Sequence, residues 1–292
     1  MQHTEGYFKG VRDANIYYQA WLPEADAEAV TPLAVTPLAV PPLAVLLVVH
    51  GLGEHSGRYM NVVNHFAPLG YAVYALDHLG HGKSEGKREI VARFEDFTDT
   101  LEIFYKMVTG WQPGKPVFLV GHSMGGLIAV AYLIDHQADF KGAVISAPAI
   151  VVGASITPVV IAMSKFLSKV APGMGMLALD VNTISHDPQV VSAYAHDPLV
   201  FHGKTPARLA GEMLRTMLRV EPEMGKISLP LFVVQGSDDR LVDPRGAQML
   251  YDRASSADKS IKIYQGYYHE VFNEPEHEQV LGDVEAWLGK HI

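Results

Sequence analysis

The sequence predicts an α/β protein: a mostly parallel central sheet with helices on both faces and an inserted helical cap. Three observations carry this expectation. Between Ala44 and Ser146, short apolar runs alternate with amphipathic segments. The alternation stops from Ala149 to Lys226, where helices and loops but no strand are expected, and it resumes at Leu231. Strands that are apolar throughout, separated by helices, fit a parallel sheet buried on both sides.

Taken in order, Ala44–Val49 reads as a strand, the stretch near Met60–Leu69 as a helix, Ala72–Leu76 as a strand, and Phe94–Thr109 as a helix. Val117–Val120 follows as a strand, Met124–His136 as a helix and Ala143–Ser146 as a strand. After the insertion come strand Leu231–Gln235, helix Ala247–Arg253, strand Ile261–Tyr264 and helix Val280–His291. This divides the chain into a first core part, 1–148, a helical cap, 149–227, and a second core part, 228–292. Before the first of these strands, the unit Thr31-Pro-Leu-Ala-Val35 recurs at Thr36–Val40 and, as Pro-Pro-Leu-Ala-Val, at Pro41–Val45. A proline every five residues removes ladder donors and keeps the backbone extended, so residues 24–41 are expected to form a surface excursion.

At 292 residues, with 48% hydrophobic and 19% charged content, the chain can bury one large core. A net charge of −9 without a basic run excludes a nucleic-acid partner. The absence of cysteine removes disulfides, a thiolate nucleophile and Cys-based zinc sites. Residues 1–18 contain no apolar stretch of the kind a signal peptide needs. Residues 29–53 and 142–164 are long and uncharged enough to cross a bilayer, but prolines interrupt both, so the expectation is a cytoplasmic protein that contacts a membrane only peripherally through the cap. Nothing in the sequence specifies an oligomeric state.

The chemistry centres on VFLVGHSMGGLIA, residues 117–129. Ser123 falls where a strand turns into a helix, and Gly121, Gly125 and Gly126 remove the Cβ atoms that so sharp a turn would crowd. Gly121-His122-Ser123-Met124-Gly125 therefore fits the G-x-S-x-G nucleophile elbow. A serine needs a base and a group to orient that base. Downstream, strand ends lead into Asp239 and then His269, in the chain order Ser, Asp, His of an α/β-hydrolase. An oxyanion hole needs two backbone N–H donors, one after the nucleophile and one after an earlier strand. Met124 and Leu52, the latter in His50-Gly51-Leu52-Gly53-Glu54, are the candidates. His50 is expected to brace this loop. Asp77, His78 and His81 match no familiar metal spacing, and no metal or cofactor is expected.

HGLGEHSGRY at 50–59, DHLGHGKSEG at 77–86, PVFLVGHSMGG at 116–126, YAHDPLV at 194–200, QGSDDRLVD at 235–243 and KIYQGYYHE at 262–270 together resemble the monoacylglycerol lipase and lysophospholipase-like family of the α/β-hydrolase superfamily. The resemblance implies an α/β-hydrolase fold with a cap (lid), a triad of Ser123, Asp239 and His269, oxyanion donors Leu52 and Met124, and Glu54, Arg58 and Tyr194 near the glycerol end. It places the acid at Asp239, not Asp238. One departure stands out. Mammalian-type relatives carry a second histidine three residues after the catalytic one, where this chain has Phe272. The implied reaction is hydrolysis of a lipid ester, a monoacylglycerol, through an acyl-enzyme. Alternatives within the fold are a lysophospholipase, a broad carboxylesterase or an acyltransferase. Outside catalysis, the alternative is a binding protein, against which the complete triad argues.

Within the cap, Ser155 is expected to cap a helix running to Val170, with Pro158 in its first turn. Ile156, Val159, Val160, Met163, Leu167 and Val170 share one face, expected to cover the acyl pocket and the core. Ile161 is expected on the exposed side with Thr157, Lys165 and Ser168.

Overall fold

The computed structural model describes residues 1–24, 41–152 and 157–292. The expected excursion at 24–41 lies almost wholly outside the described residues, as do Ser155 and Ile156. Strands β1 (Gln2–Lys9), β2 (Asn15–Leu22), β3 (Val45–Val49), β4 (Ala72–Leu76), β5 (Val117–His122), β6 (Gly142–Ser146), β9 (Leu231–Gly236) and β10 (Lys259–Tyr264) form one eight-stranded sheet. Its order is β1-β2-β4-β3-β5-β6-β9-β10. From β4 to β10 every pairing is parallel, while β1 with β2 and β2 with β4 are antiparallel.

The side-chain period of two divides the core between the two faces. In β3, Val45, Leu47 and Val49 join one apolar cluster, and Leu46 and Val48 join another. The first cluster takes Phe97, Leu101 and Phe104 of α2 (Glu95–Trp111), Leu127 and Ile128 of α3 (Met124–His136), and Ala247 and Leu250 of α7 (Arg245–Arg253). The second takes Val62, Val63 and Phe66 of α1 (Met60–Phe66) and Trp287 and Leu288 of α8 (His277–Leu288). Helices therefore cover both faces, as the uninterrupted apolar strands require.

The antiparallel pair β1 and β2 adds to the sheet edge a feature that the apolar-run reading does not find. β1 is QHTEGYFK and is largely exposed, so it carries almost no hydrophobic signal. Its Arg12 turn is fixed to the core where both guanidinium terminal nitrogens donate to buried Asp96, at 2.9 and 2.8 Å.

Between β6 and β9 lie α4 (Pro158–Val170), β7 (Gly175–Leu177), α5 (Pro188–His196), β8 (Thr205–Pro206) and α6 (Ala207–Glu223). The expectation of no strand here is corrected: β7 pairs antiparallel with β8. Both are too short to show an alternating pattern. Buried Leu209, Glu212, Thr216 and Val220 form a helical stripe on α6, which packs on α3 and α4.

The expected orientation of α4 is corrected as well. Val159, Met163 and Val170, assigned to the covered face, are 69%, 55% and 58% exposed. Ile161, assigned outward, is half-buried, and Ser168 is buried. The reason is close helix contact through small residues. Gly211 of α6 faces α4, and a Cβ there would come within 3.0 Å of Ser168 Cβ and 3.4 Å of Ser164 Oγ. Hydrophobic periodicity assumes that the bulkiest stripe is covered; here the serine stripe lets the backbones approach and leaves the bulky stripe outside. Among the described residues no helix is long and apolar enough to cross a membrane.

Candidate active site

Ser123 follows β5 and opens α3 with φ 57° and ψ −119°, a left-handed conformation that non-glycine residues adopt only when their surroundings enforce it. The surroundings do so here. The Ser123 N–H donates to the Ser146 carbonyl at 3.0 Å, and its own carbonyl accepts from Leu127 and Ala149. A Cβ at Gly125 would collide with the carbonyls of Val49 and His50, and one at Gly121 would lie 2.7 Å from the Gly125 carbonyl oxygen. The glycines therefore let the elbow sit against the end of β3.

The C-terminal ends of β3, β5, β9 and β10 share one edge of the sheet and carry the residues singled out from the sequence. After β9, Asp239 is buried at 7% exposure. After β10, His269 is buried at 5%, and its Nδ1 lies 2.7 Å from Asp239 Oδ2. Asp239 Oδ2 also accepts from Gln235 Nε2, and Oδ1 accepts from the backbone N–H groups of Leu241 and Val242. Asp238 instead accepts from the Ser237 hydroxyl. Burial opposes protonation of His269, but the charge and hydrogen bond of Asp239, with Glu270 and Glu54 behind it, outweigh that and raise its pKa. Burial likewise works against ionised Asp239, which His269 and the two N–H groups nonetheless hold below the usual carboxyl range. The pair is built to favour imidazolium beside carboxylate.

Ser123 and His269 line one cavity of about 260 Å³. Leu52, Glu54 and Tyr194 line it too, together with His122 and Glu270. Its remaining wall is mainly apolar and includes Ile150, Leu177, Leu179, Ile184, Met213 and Met217, all from the inserted segment. Met124 is fully buried beneath the elbow. His122 Nδ1 lies 3.1 Å from Ser146 Oγ, and its ring centroid is 4.7 Å from that of His269. Burial and the neighbouring His269 lower its pKa to about 4, so it stays neutral beside His269.

The loop after β3 is braced internally. His50 Nδ1 is 2.8 Å from the Gly51 carbonyl, and its Nε2 accepts from the His78 N–H. Glu54 Oε1 accepts from the Gly51 N–H at 2.6 Å and from the Tyr59 hydroxyl at 2.8 Å. Arg58 donates to Glu54 and, through two nitrogens, to Glu270 at 2.6 and 2.8 Å. Its guanidinium also lies over the Tyr194 ring, 4.5 Å from the centroid. Glu54, Tyr194 and Glu270 therefore form the polar end of the cavity, while Arg58 does not line it and is held behind them between the two carboxylates. Glu270 was not singled out from the sequence. Its only signal there is its position directly after His269. Burial resists its ionisation, but Arg58 overrides this and keeps its pKa low. Phe272 is buried in the apolar cluster behind α1.

The profile of the serine aminopeptidase S33 family matches residues 40–276. The chain belongs to that family. It is 38% identical over 289 residues to the monoacylglycerol lipase of Mycolicibacterium smegmatis, covering 99% of this chain and 98% of that one. It is 36% identical over 250 residues to the monoglyceride lipase of Homo sapiens, covering 84% and 82%. The crystal structure of the Paleococcus ferrophilus monoacylglycerol lipase superposes with a TM-score of 0.78 at 28% identity, covering 100% of both chains. Sheet order, elbow and relatives together make this a serine hydrolase of the α/β-hydrolase fold.

Proposed function

We propose that this serine hydrolase cleaves monoacylglycerols to fatty acid and glycerol through an acyl-enzyme. The observation that carries the chemistry is the 2.7 Å His269–Asp239 contact sharing a cavity with Ser123 on its strained turn. With Nδ1 engaged by Asp239, His269 Nε2 is left to take the Ser123 Oγ proton as that oxygen attacks the ester carbonyl. The N–H groups of Leu52 and Met124 are assigned to the carbonyl oxygen as it gains charge. Collapse expels glycerol, which takes the proton from His269. Water, deprotonated by the same histidine, then releases the fatty acid.

The substrate assignment rests on the relatives and on the two-ended cavity. Its apolar wall suits an acyl chain, and the end formed by Glu54, Tyr194 and Glu270, with Arg58 bracing the two acids from behind, suits the glycerol hydroxyls. Residues 149–227 serve as the cap. Its exposed stripe of Val159, Met163, Phe166 and Val170 continues into exposed Met174, Met176 and Leu177, with Lys165 and Lys169 exposed on the same helix. Apolar side chains flanked by lysines fit a helix resting in a lipid interface, where its substrate resides.

Monoacylglycerols, lysophospholipids and short p-nitrophenyl esters, assayed side by side over a series of chain lengths, test the reading. Highest kcat/KM on monoacylglycerols supports it. A flat profile makes the protein a broad carboxylesterase, and preference for lysophospholipids makes it a lysophospholipase.

A further inference from the structure

Away from the catalytic pair, Glu89 is buried and, among the described residues, forms no ion pair. Glu89 lies in the loop between β4 and α2, with a left-handed φ of 52°, 1% exposure and no hydrogen-bond partner for Oε2. Its N–H donates to the Gly80 carbonyl, which fixes the strained backbone in place. Its carboxyl reaches Gly53, the turn residue directly after Leu52. A Cβ at Gly53 would lie 3.1 Å from Glu89 Oε1 and 3.5 Å from both the Tyr194 hydroxyl and the Phe201 carbonyl oxygen. The Gly53 carbonyl in turn accepts from the Phe201 N–H at 2.8 Å. Buried Thr205 of β8 lies close enough for its side chain to act on the Glu89 carboxyl. Core loop, oxyanion loop and inserted segment therefore converge on one acid.

We propose that Glu89 is a positioning residue: in its neutral form it packs the Gly53 turn against Tyr194, Phe201 and Thr205 and thereby holds the Leu52 N–H in place, whereas its carboxylate form loosens that junction. The proposal rests on the reading of Leu52 as an oxyanion donor. Ionisable neighbours are Tyr194 on α5, Glu54 beyond Gly53, Lys87 and Arg88 on the same loop, and His202 and Lys204 flanking the contact residues of the inserted segment. Among the described residues none of them forms an ion pair with Glu89. Burial raises its pKa to about 7, with the nearby Thr205 side chain pulling the other way. An acid whose pKa is raised by folding binds more protons folded than unfolded, so the junction is tightest at low pH and weakens as pH rises through about 7.

The test compares wild type, Glu89→Gln and Glu89→Ala from mildly acidic to mildly alkaline pH. It reads protection of the Phe201 amide against hydrogen exchange and kcat on a short p-nitrophenyl ester. Relative to Glu89→Gln, wild type is expected to lose Phe201 protection several-fold across neutrality and to lose kcat in parallel, with KM little changed. Glu89→Ala is expected to have low kcat at every pH. Superimposable profiles for wild type and Glu89→Gln overturn the proposal while leaving Ser123 labelling, and so the reading of the site, untouched. Lost protection with constant kcat overturns the positioning role through Leu52.

Discussion

His269 Nδ1 meets Asp239 Oδ2 at 2.7 Å, whereas the adjacent Asp238 accepts from the Ser237 hydroxyl. Two neighbouring carboxylates thus have different environments, and only one can hold the imidazole tautomer. Asp239→Asn is expected to lower kcat by about 10⁴, the loss known for the equivalent change in a serine protease triad. Asp238→Asn is expected to stay within about tenfold of wild type, since it touches no part of the proton path. Steady-state kinetics on one ester decides, and the reverse order would move the acid to Asp238.

On the proposed mechanism His269 must be neutral to accept the serine proton, so kcat/KM is expected to fall as pH drops through its pKa. Because Asp239, Glu270 and Glu54 together raise that pKa, the acid limb is expected above the ordinary histidine value of about 6.5. Glu270→Gln removes one negative charge and is expected to shift the limb to lower pH. A pH–rate profile on a substrate without a glycerol group checks this, and an unmoved limb in Glu270→Gln contradicts the electrostatic account.

Much of the site was legible because each part stands at a strand end marked by glycine. Gly121 and Gly125 flank Ser123, Gly236 precedes Asp239 and Gly266 precedes His269. Glu270 and Glu89 were not legible, since one acid among 32 Asp and Glu residues gives no local sign of being buried. Glu270 becomes significant only through Arg58, 212 residues away in sequence. The sheet from β3 onward could be read from apolar runs, while β1 hid in an exposed polar sequence and β7 with β8 in their brevity. On α4, periodicity located the helix and its apolar stripe but not which side the α6 contact would cover, because Gly211 decides that from another helix.

The corrected orientation of α4 changes which substitutions bear on lipid contact. Phe166→Glu, at a position 62% exposed, is expected to weaken liposome binding and slow hydrolysis of long-chain monoacylglycerol in vesicles. Turnover of a short dispersed ester is expected to be unchanged. Ile161→Glu, at a half-buried position, is expected instead to lower Tm. Co-sedimentation with vesicles and thermal melts separate the two, and unaltered vesicle binding in Phe166→Glu contradicts the lipid-facing role.

The central claim is that Ser123 is the nucleophile, and labelling with a fluorophosphonate tests it most directly. The wild type is expected to gain one covalent adduct, mapped by mass spectrometry to the peptide containing Ser123. Ser123→Ala is expected to stay unlabelled, to keep its Tm and to lose kcat by roughly a millionfold, as for loss of the serine in a comparable triad. An adduct on another residue, or labelling that persists in a folded Ser123→Ala variant, would contradict the account.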